Sequence, residues 1–284
     1  MKTAFFGPGG NSEAFKAWGG KSTLDAPRFV SELGLNAYEY EAGNGLAASS
    51  AMLAAIGNEA KKYNIKMSFH TPYFISLSGV EEEKRLKSIG YIDQSLKAAK
   101  LLGAGTIVVH TGSAAKITRD EAMRLAADTL VKTLGSVDTY GIKIGLETMG
   151  KKNQLGTLDE VLELCRIDSA FAPVVDFGHL NARDCGGVFA GADDYLKVFD
   201  KIDRKLGAEY ATNLHCHFSK IEWTDKGEKK HLTFADDIYG PDYEPLMDLL
   251  ARESLTPTII SESAGTQSDD ALIMKKYYME KRNG

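Results

Sequence analysis

The chain has 284 residues, 43% of them hydrophobic and 26% charged, with 28 glycines that follow no period. That is globular composition, long enough for one large core or two small ones, and no low-complexity segment or linker interrupts it. A formal charge of −5 lowers the case for a nucleic-acid binder with a broad basic surface, although a local patch remains open.

Cys165, Cys185 and Cys216 make no CxxC pair and no even disulfide framework, so a reducing, cytoplasmic setting is expected. The opening "MKTAFFGPGG" is too short an apolar run for a signal peptide. No run approaches the roughly 18–20 apolar residues that span a bilayer, so no membrane association is expected.

Short β-rich apolar runs recur along the chain: "KTAFFG" (2–7), "AYEYEA" (37–42), "KMSFH" (66–70), "TIVVH" (106–110), "KIGLET" (143–148), "PVVDF" (173–177), "NLHCHFS" (213–219) and "PTIISES" (257–263). Amphipathic helical patterns fill the gaps, at a vaguely marked 22–34 and then at 46–62, 81–105, 120–140, 157–166, 192–206, 242–253 and 268–281. In the stretch from 81 to 105, Leu86, Ile89, Ile92, Leu96, Ala99 and Leu102 recur at three- and four-residue steps. Its acidic start and its Lys100–Gly103 end suit the helix dipole and a C-cap.

Strict alternation of strand and helix implies parallel strands joined by right-handed crossovers. Eight such units point to one (β/α)8 TIM barrel over residues 1–284, with its active site at the C-terminal ends of the strands. A doubly wound open sheet is the alternative. "GPGGN" after the first strand lacks the third glycine of a dinucleotide loop.

Five of the six histidines, His70, His110, His179, His215 and His217, fall in or just after the end of an expected strand; the sixth is His231. Such positions are only about a tenth of a barrel chain. Glu147, Asp176 and Glu262 end the fifth, sixth and eighth strands on the same rim. In "PVVDFGHLN" (173–181), Asp176 and His179 fit either a capped turn or a pair of metal ligands.

One such residue alone is more simply a hydrogen-bonded structural group. Together they would be costly in a low-dielectric mouth unless something cationic neutralised the acids. Imidazole with carboxylate suits zinc, manganese or iron(II) better than calcium or magnesium. The long segment from Lys220 to Pro241 exceeds the usual two to six residues after a strand and reads as a substrate-covering element. Lys151, Lys152, Arg183, Lys226, Lys229 and Lys230 make that rim less acidic than the chain as a whole, which favours an anionic substrate.

The ordered series "FHTPY", "VVHTGS", "GLET", "VVDFGH", "LHCHFS", "KKH" and "IISES", from about 66 to 263, resembles endonuclease IV, the abasic-site (AP endonuclease family 2) endonucleases among the xylose isomerase-like barrels. The resemblance implies two or three zinc ions, or manganese or iron(II) in their place. His70, His110 and Glu147 would hold one ion, and Asp176, His215 and Glu262 a second, with Glu147 bridging. His179 and His231 would hold a third. Glu147 and Glu262 would also orient the attacking water, and Tyr73 matches a tyrosine near the family's substrate site.

Two departures stand out. The family's acidic residue two positions before the last histidine is here Lys229, so its ammonium would replace the ion's charge and face the substrate, unless Asp225 or Glu228 completes the site. The family's basic and aromatic DNA-reading segment after the second strand is replaced by "YEYEAGNG", whose Glu39 and Glu41 are poor neighbours for phosphates.

The leading expectation is a monomeric, metal-dependent DNA-repair phosphodiesterase that cleaves 5′ to abasic sites. The alternative is a divalent-metal sugar isomerase or epimerase acting on a small carbohydrate, with Glu147 and Glu262 trading a proton. A glycosidase using the same two glutamates leaves the histidines unexplained. A non-catalytic binding protein with a vestigial site would hold no metal.

Overall fold

The computed structural model describes residues 3–253 and 255–283. Its strands are β1 (Phe5–Pro8), β2 (Ala37–Glu41), β3 (Lys66–His70), β4 (Thr106–His110), β5 (Lys143–Glu147), β6 (Phe171–Asp176), β7 (His215–Phe218), β8 (Ile221–Thr224), β9 (Gly227–His231) and β10 (Thr258–Ser261). All but β8 and β9 form one sheet in the order β1-β10-β7-β6-β5-β4-β3-β2, with parallel pairing along it. The ends meet: the Gly10 N–H donates to the Glu39 carbonyl and the Asn36 N–H to that of Phe6, each at 3.0 Å. This is a single (β/α)8 barrel.

The helices are α1 (Glu13–Ala17), α2 (Ala26–Glu32), α3 (Ser50–Lys62), α4 (Glu82–Leu102), α5 (Arg119–Leu134), α6 (Leu158–Cys165), α7 (Phe177–Arg183), α8 (Ala192–Leu206), α9 (Ala208–Thr212), α10 (Glu244–Glu253) and α11 (Gln267–Asn283). Among the described residues no helix is long and apolar enough to cross a membrane.

Parallel strands covered on both faces are apolar almost throughout, and Ile107, Val108 and Val109 of β4 are all buried. The stripe Ile92, Leu96, Ala99 and Leu102 of α4 is buried against the barrel. That helix stops where Gly103 turns left-handed at φ 69° and donates its N–H to the last turn. Ser49, Thr118 and Thr157 cap α3, α5 and α6 through their side chains. Phe177, Phe199 and Phe218 pack between sheet and helices.

Several stretches differ from expectation, and α1 and α9 lie outside every expected helix. The vague helix at 22–34 is a short turn over Thr23–Asp25 followed by α2. After β6 the chain enters α7 at once, without a loop. The long segment after β7 begins as an antiparallel hairpin of β8 and β9 and runs on irregularly to Pro241. Of the expected first strand, Lys2 lies outside the described residues.

Candidate metal centre

The ends of β3, β4 and β5 stand side by side, with His70 level with Val108 and His110 level with Glu147. His70 Nδ1 lies 2.9 Å from the Thr71 carbonyl oxygen. A carbonyl only accepts, so Nδ1 carries the proton and Nε2 is left for the mouth. That Nε2 is 3.6 Å from Glu147 Oε2, which lies 3.2 Å from His110 Nε2. Glu147 is fully buried, and its Oε2 has no well-directed hydrogen bond.

The next group comes from β6, β7 and the exit of β10. Register pairs Asp176 with His217 and Val174 with His215. His217 is therefore the imidazole level with Asp176, and its Nδ1 lies 2.9 Å from Glu147 Oε1 and 3.1 Å from Glu262 Oε1. His215, expected beside Asp176 and Glu262, sits one inward-facing position deeper, with Nε2 2.9 Å from Glu39 Oε2. In this respect the structure corrects the sequence: His217 stands with those acids. Asp176 caps α7, its Oδ1 accepting the His179 N–H at 2.7 Å, while its buried Oδ2 has no hydrogen-bond partner. The cap thus occupies one oxygen and leaves the other without a hydrogen bond, 3.4 Å from His179 Nδ1.

A third group forms where α7 meets the hairpin. His179 donates Nδ1–H to the Thr148 carbonyl at 2.9 Å, which leaves Nε2 3.5 Å from Glu228 Oε2. The rings of His179 and His231 lie 5.4 Å apart, edge to face. Ser219 Oγ, 2.8 Å from His231 Nδ1, orients the second ring. Glu228 therefore occupies the position expected of an acid, and Lys229 points outward to pair with Glu222. A register break in the hairpin explains this: Glu222 pairs with Lys230 and Trp223 with Glu228, so Lys229 is the extra residue and Glu228 and His231, three apart, both face the centre.

The hairpin is seated by backbone. Gly227 has φ 91°, and a Cβ there would lie 2.2 Å from the Gly150 carbonyl oxygen. Arg183, expected to face the substrate, is buried and donates to the carbonyls of Met149, Lys151, Lys152 and Gln154. It pins the loop after β5 on which the hairpin rests. Tyr73 does stand at the mouth, 55% exposed, its hydroxyl donating to Asn44 Oδ1 at 2.7 Å.

His70, His110, Glu147, His179, Glu228, His231 and Glu262 line a cavity of 560 Å³ that also includes Glu41, Tyr73 and Lys151, with Asp176 and His217 buried behind them. Sequence reasoning passed over Glu41 and Glu39 as centre residues. The alternation in "YEYE" was the available signal, since it puts both glutamates on one strand face.

Without a cation, protons balance the charge. Enclosure by the mouth and the charges of Glu39 and Glu147 push Glu41 up to about 7. Burial, with Glu147 and Asp176 nearby, pushes Glu262 up to about 8. Burial opposes the charge on His179, yet Asp176 and Glu228 raise it to about 9. Burial lowers His110 and His231.

Three donor sets, His70–His110–Glu147, Glu147–Asp176–His217–Glu262 and His179–Glu228–His231, each bring their ligand atoms within 4.8 Å of one another. Mixed imidazole and carboxylate donors, with oxygens of Glu147 and Asp176 that take no hydrogen bond, fit divalent transition ions.

Fold and site define a (β/α)8 barrel with clustered histidine and carboxylate donors at the C-terminal ends of its strands. The chain belongs to the xylose isomerase-like TIM barrel family, matched across residues 27–276. It is 30% identical over 252 residues to the uncharacterised protein MJ0133 of Methanocaldococcus jannaschii, covering 87% of this chain and 88% of that one. It is 29% identical over 189 residues to a probable endonuclease 4 of Acholeplasma laidlawii, covering 65% of this chain and 62% of that protein, less than two thirds of the relative's length. A crystal structure of a D-tagatose 3-epimerase-like protein superposes with a TM-score of 0.72 over 100% of this chain and 98% of that one, at 20% identity, which shows the common fold alone.

Proposed function

We propose that this protein is a metal-dependent phosphodiesterase that cleaves DNA on the 5′ side of abasic sites. The observation that carries the reading is the joining of three donor sets, two of them through Glu147. A one-ion sugar enzyme has use for only one such set. The resemblance to probable endonuclease 4 proteins supports the same reading.

His70, His110 and Glu147 would hold one ion, Glu147, Asp176, His217 and Glu262 a second, and His179, Glu228 and His231 a third. Bound divalent ions supply Lewis acidity at a phosphoryl oxygen and make water more acidic. Glu147 and Glu262 accept hydrogen bonds from the attacking water and hold it in line with phosphorus. Lys151, on the cavity wall, offsets phosphate charge, and the exposed ring of Tyr73 borders the entrance.

The test is incubation of metal-replete protein with a duplex carrying one abasic site. A nick on its 5′ side that leaves a 3′-hydroxyl, abolished by chelation, supports the reading; an intact duplex rejects it.

A second reading, a sugar epimerase or isomerase, is favoured by Glu41 and Glu262, two mouth carboxyls that hold protons near neutral pH without a cation. Such a pair suits moving a proton on and off carbon. Interconversion of a ketose and its isomer in a Glu262-dependent way, with the abasic duplex left intact, would select it.

A further inference from the structure

Beneath the three donor sets lies a carboxylate that none of them needs. Glu39, on β2, is fully buried inside the barrel and faces two imidazoles of β7. Its Oε2 is 2.9 Å from His215 Nε2, and its Oε1 is 2.8 Å from His217 Nε2. The other nitrogen of His217 looks the opposite way, toward Glu147 and Glu262. The His217 ring is thus held between carboxylates above and below. Its Nε2 and Glu39 Oε1 are close but out of line for a hydrogen bond. A small rotation of the ring would complete it.

An ionised carboxylate accepts and never donates, so the proton between these two atoms belongs to Nε2. Nδ1 is likewise hydrogen-bonded to Glu147 Oε1 at 2.9 Å, so an ion taken up there would displace that proton while Nε2 keeps its own. A buried acid in contact with two imidazoles, and within 4.8 Å of Glu41 and Glu262, is an expensive way to fill a barrel, since an apolar side chain would pack there without desolvation. Histidines that bind metal almost always give their second N–H to a carboxylate, carbonyl or water, which fixes tautomer and ring orientation.

We propose that Glu39, steadied by His215, is a positioning residue for the centre: it takes the Nε2–H of His217 and so aims Nδ1 at the set formed with Glu147, Asp176 and Glu262. The inference rests on the metal-centre reading above, and its test separates the two.

The first measurement uses metal-free protein with ¹⁵N-labelled histidine. The wild type should show a slowly exchanging, downfield Nε2–H resonance from His217, and Glu39→Gln should shift it upfield and speed its exchange. The second is titration with Co²⁺, followed by visible absorption. In Glu39→Gln the affinity of the His217 set should fall roughly 10–100-fold with an altered ligand-field spectrum, the effect usual for a lost outer carboxylate. Glu39→Asp, with its carboxylate drawn back by one methylene, should fall between the two, and serves if Glu39→Gln does not fold.

Unchanged resonance and affinity in a folded Glu39 variant would overturn the proposal. So would an extra ion in the wild type that His215→Phe alone removes, since Glu39 would then be a ligand itself. Wild-type protein that takes up no Co²⁺ would reject the metal-centre reading, while the resonance would still decide the role of Glu39.

Discussion

His70, His110 and Glu147 end three neighbouring strands of the barrel, whereas His179, Glu228 and His231 come from a short helix and a hairpin outside the main sheet. On the strand side, ladder register holds the ligand atoms level, and moving one would break parallel pairing on both flanks. On the hairpin side, position depends on anchors lying apart from the ligands. These are the close seat of Gly227 on Gly150, the four carbonyls gathered by Arg183, and the Arg119 guanidinium, which donates to the carbonyls of Lys152 and Gln154. The same donor chemistry is therefore rigid on one flank and conditional on the other. The hairpin flank should be the first to lose its ion.

The largest effect is expected at Glu147, where the two strand-borne sets join. Glu147→Gln should lower ion content by about two per chain and activity by roughly 10³-fold or more, because a charged donor is lost from both sets at once. Elemental analysis and turnover on the cognate substrate measure this. Retention of both ions would show that the sets do not depend on the shared carboxylate.

Gly227→Val should separate the flanks. A side chain at φ 91°, driven into the Gly150 carbonyl, strains the hairpin by about 1–3 kcal/mol from backbone conformation alone, before any clash. We expect the His179–Glu228–His231 set to lose its ion while the strand side keeps its own. Equal loss on both sides would remove the distinction.

A subtler contrast lies between neighbours on β9. Glu228→Gln should cost about one ion per chain, since it takes the only acid from a three-ligand set. Lys229→Asp should leave stoichiometry unchanged, because its side chain faces Glu222 and not the centre. A rise in ion content for Lys229→Asp would mean that the lysine position reaches the set after all.

The smallest effect is a pH dependence of the anchor. Burial alone would raise Glu160, but hydrogen bonds from Arg119 and from the Thr157 and Gly156 N–H groups hold it down at about 2. A carboxyl depressed on folding stabilises the folded state above its unfolded value of ~4.3, and that contribution fades as pH falls toward 2. Arg119 is partly exposed, so after solvent screening the effect is about 1–2 kcal/mol. Wild type and Glu160→Gln should therefore differ in denaturant midpoint at pH 7 and converge near pH 2. In metal-free protein, hydrogen exchange should open first in the 149–156 loop. Parallel pH curves for the two proteins would argue against the anchor.

The barrel itself was legible in the sequence, because eight apolar β runs alternating with amphipathic helices leave little choice of topology. So were the ends of β3, β4 and β5, where a histidine or glutamate closes each run and the strand boundary alone decides which rim it occupies. Depth was not legible. His215 and His217 share a strand face, so period-two reasoning treats them alike, and only the pairing of His217 with Asp176 shows which one stands with the rim acids. One such step is about 6.6 Å along the strand, more than the span of a metal–ligand set.

The same limit hid Glu39. Its strand β2 pairs with β3, while its partners His215 and His217 lie on β7, brought within reach only when β1 and β2 close the sheet. Glu228 was named at the outset as one of two stand-ins for the missing acid, and the choice over Lys229 fell to the hairpin, whose register break at Lys229 lets Glu228 and His231 face the centre together. Local periodicity, which the sequence carries directly, determined the elements and the rim on which they place their ends. Register, barrel closure and hairpin facing are relations between segments far apart in the chain, and so the tertiary structure alone decided which donors meet.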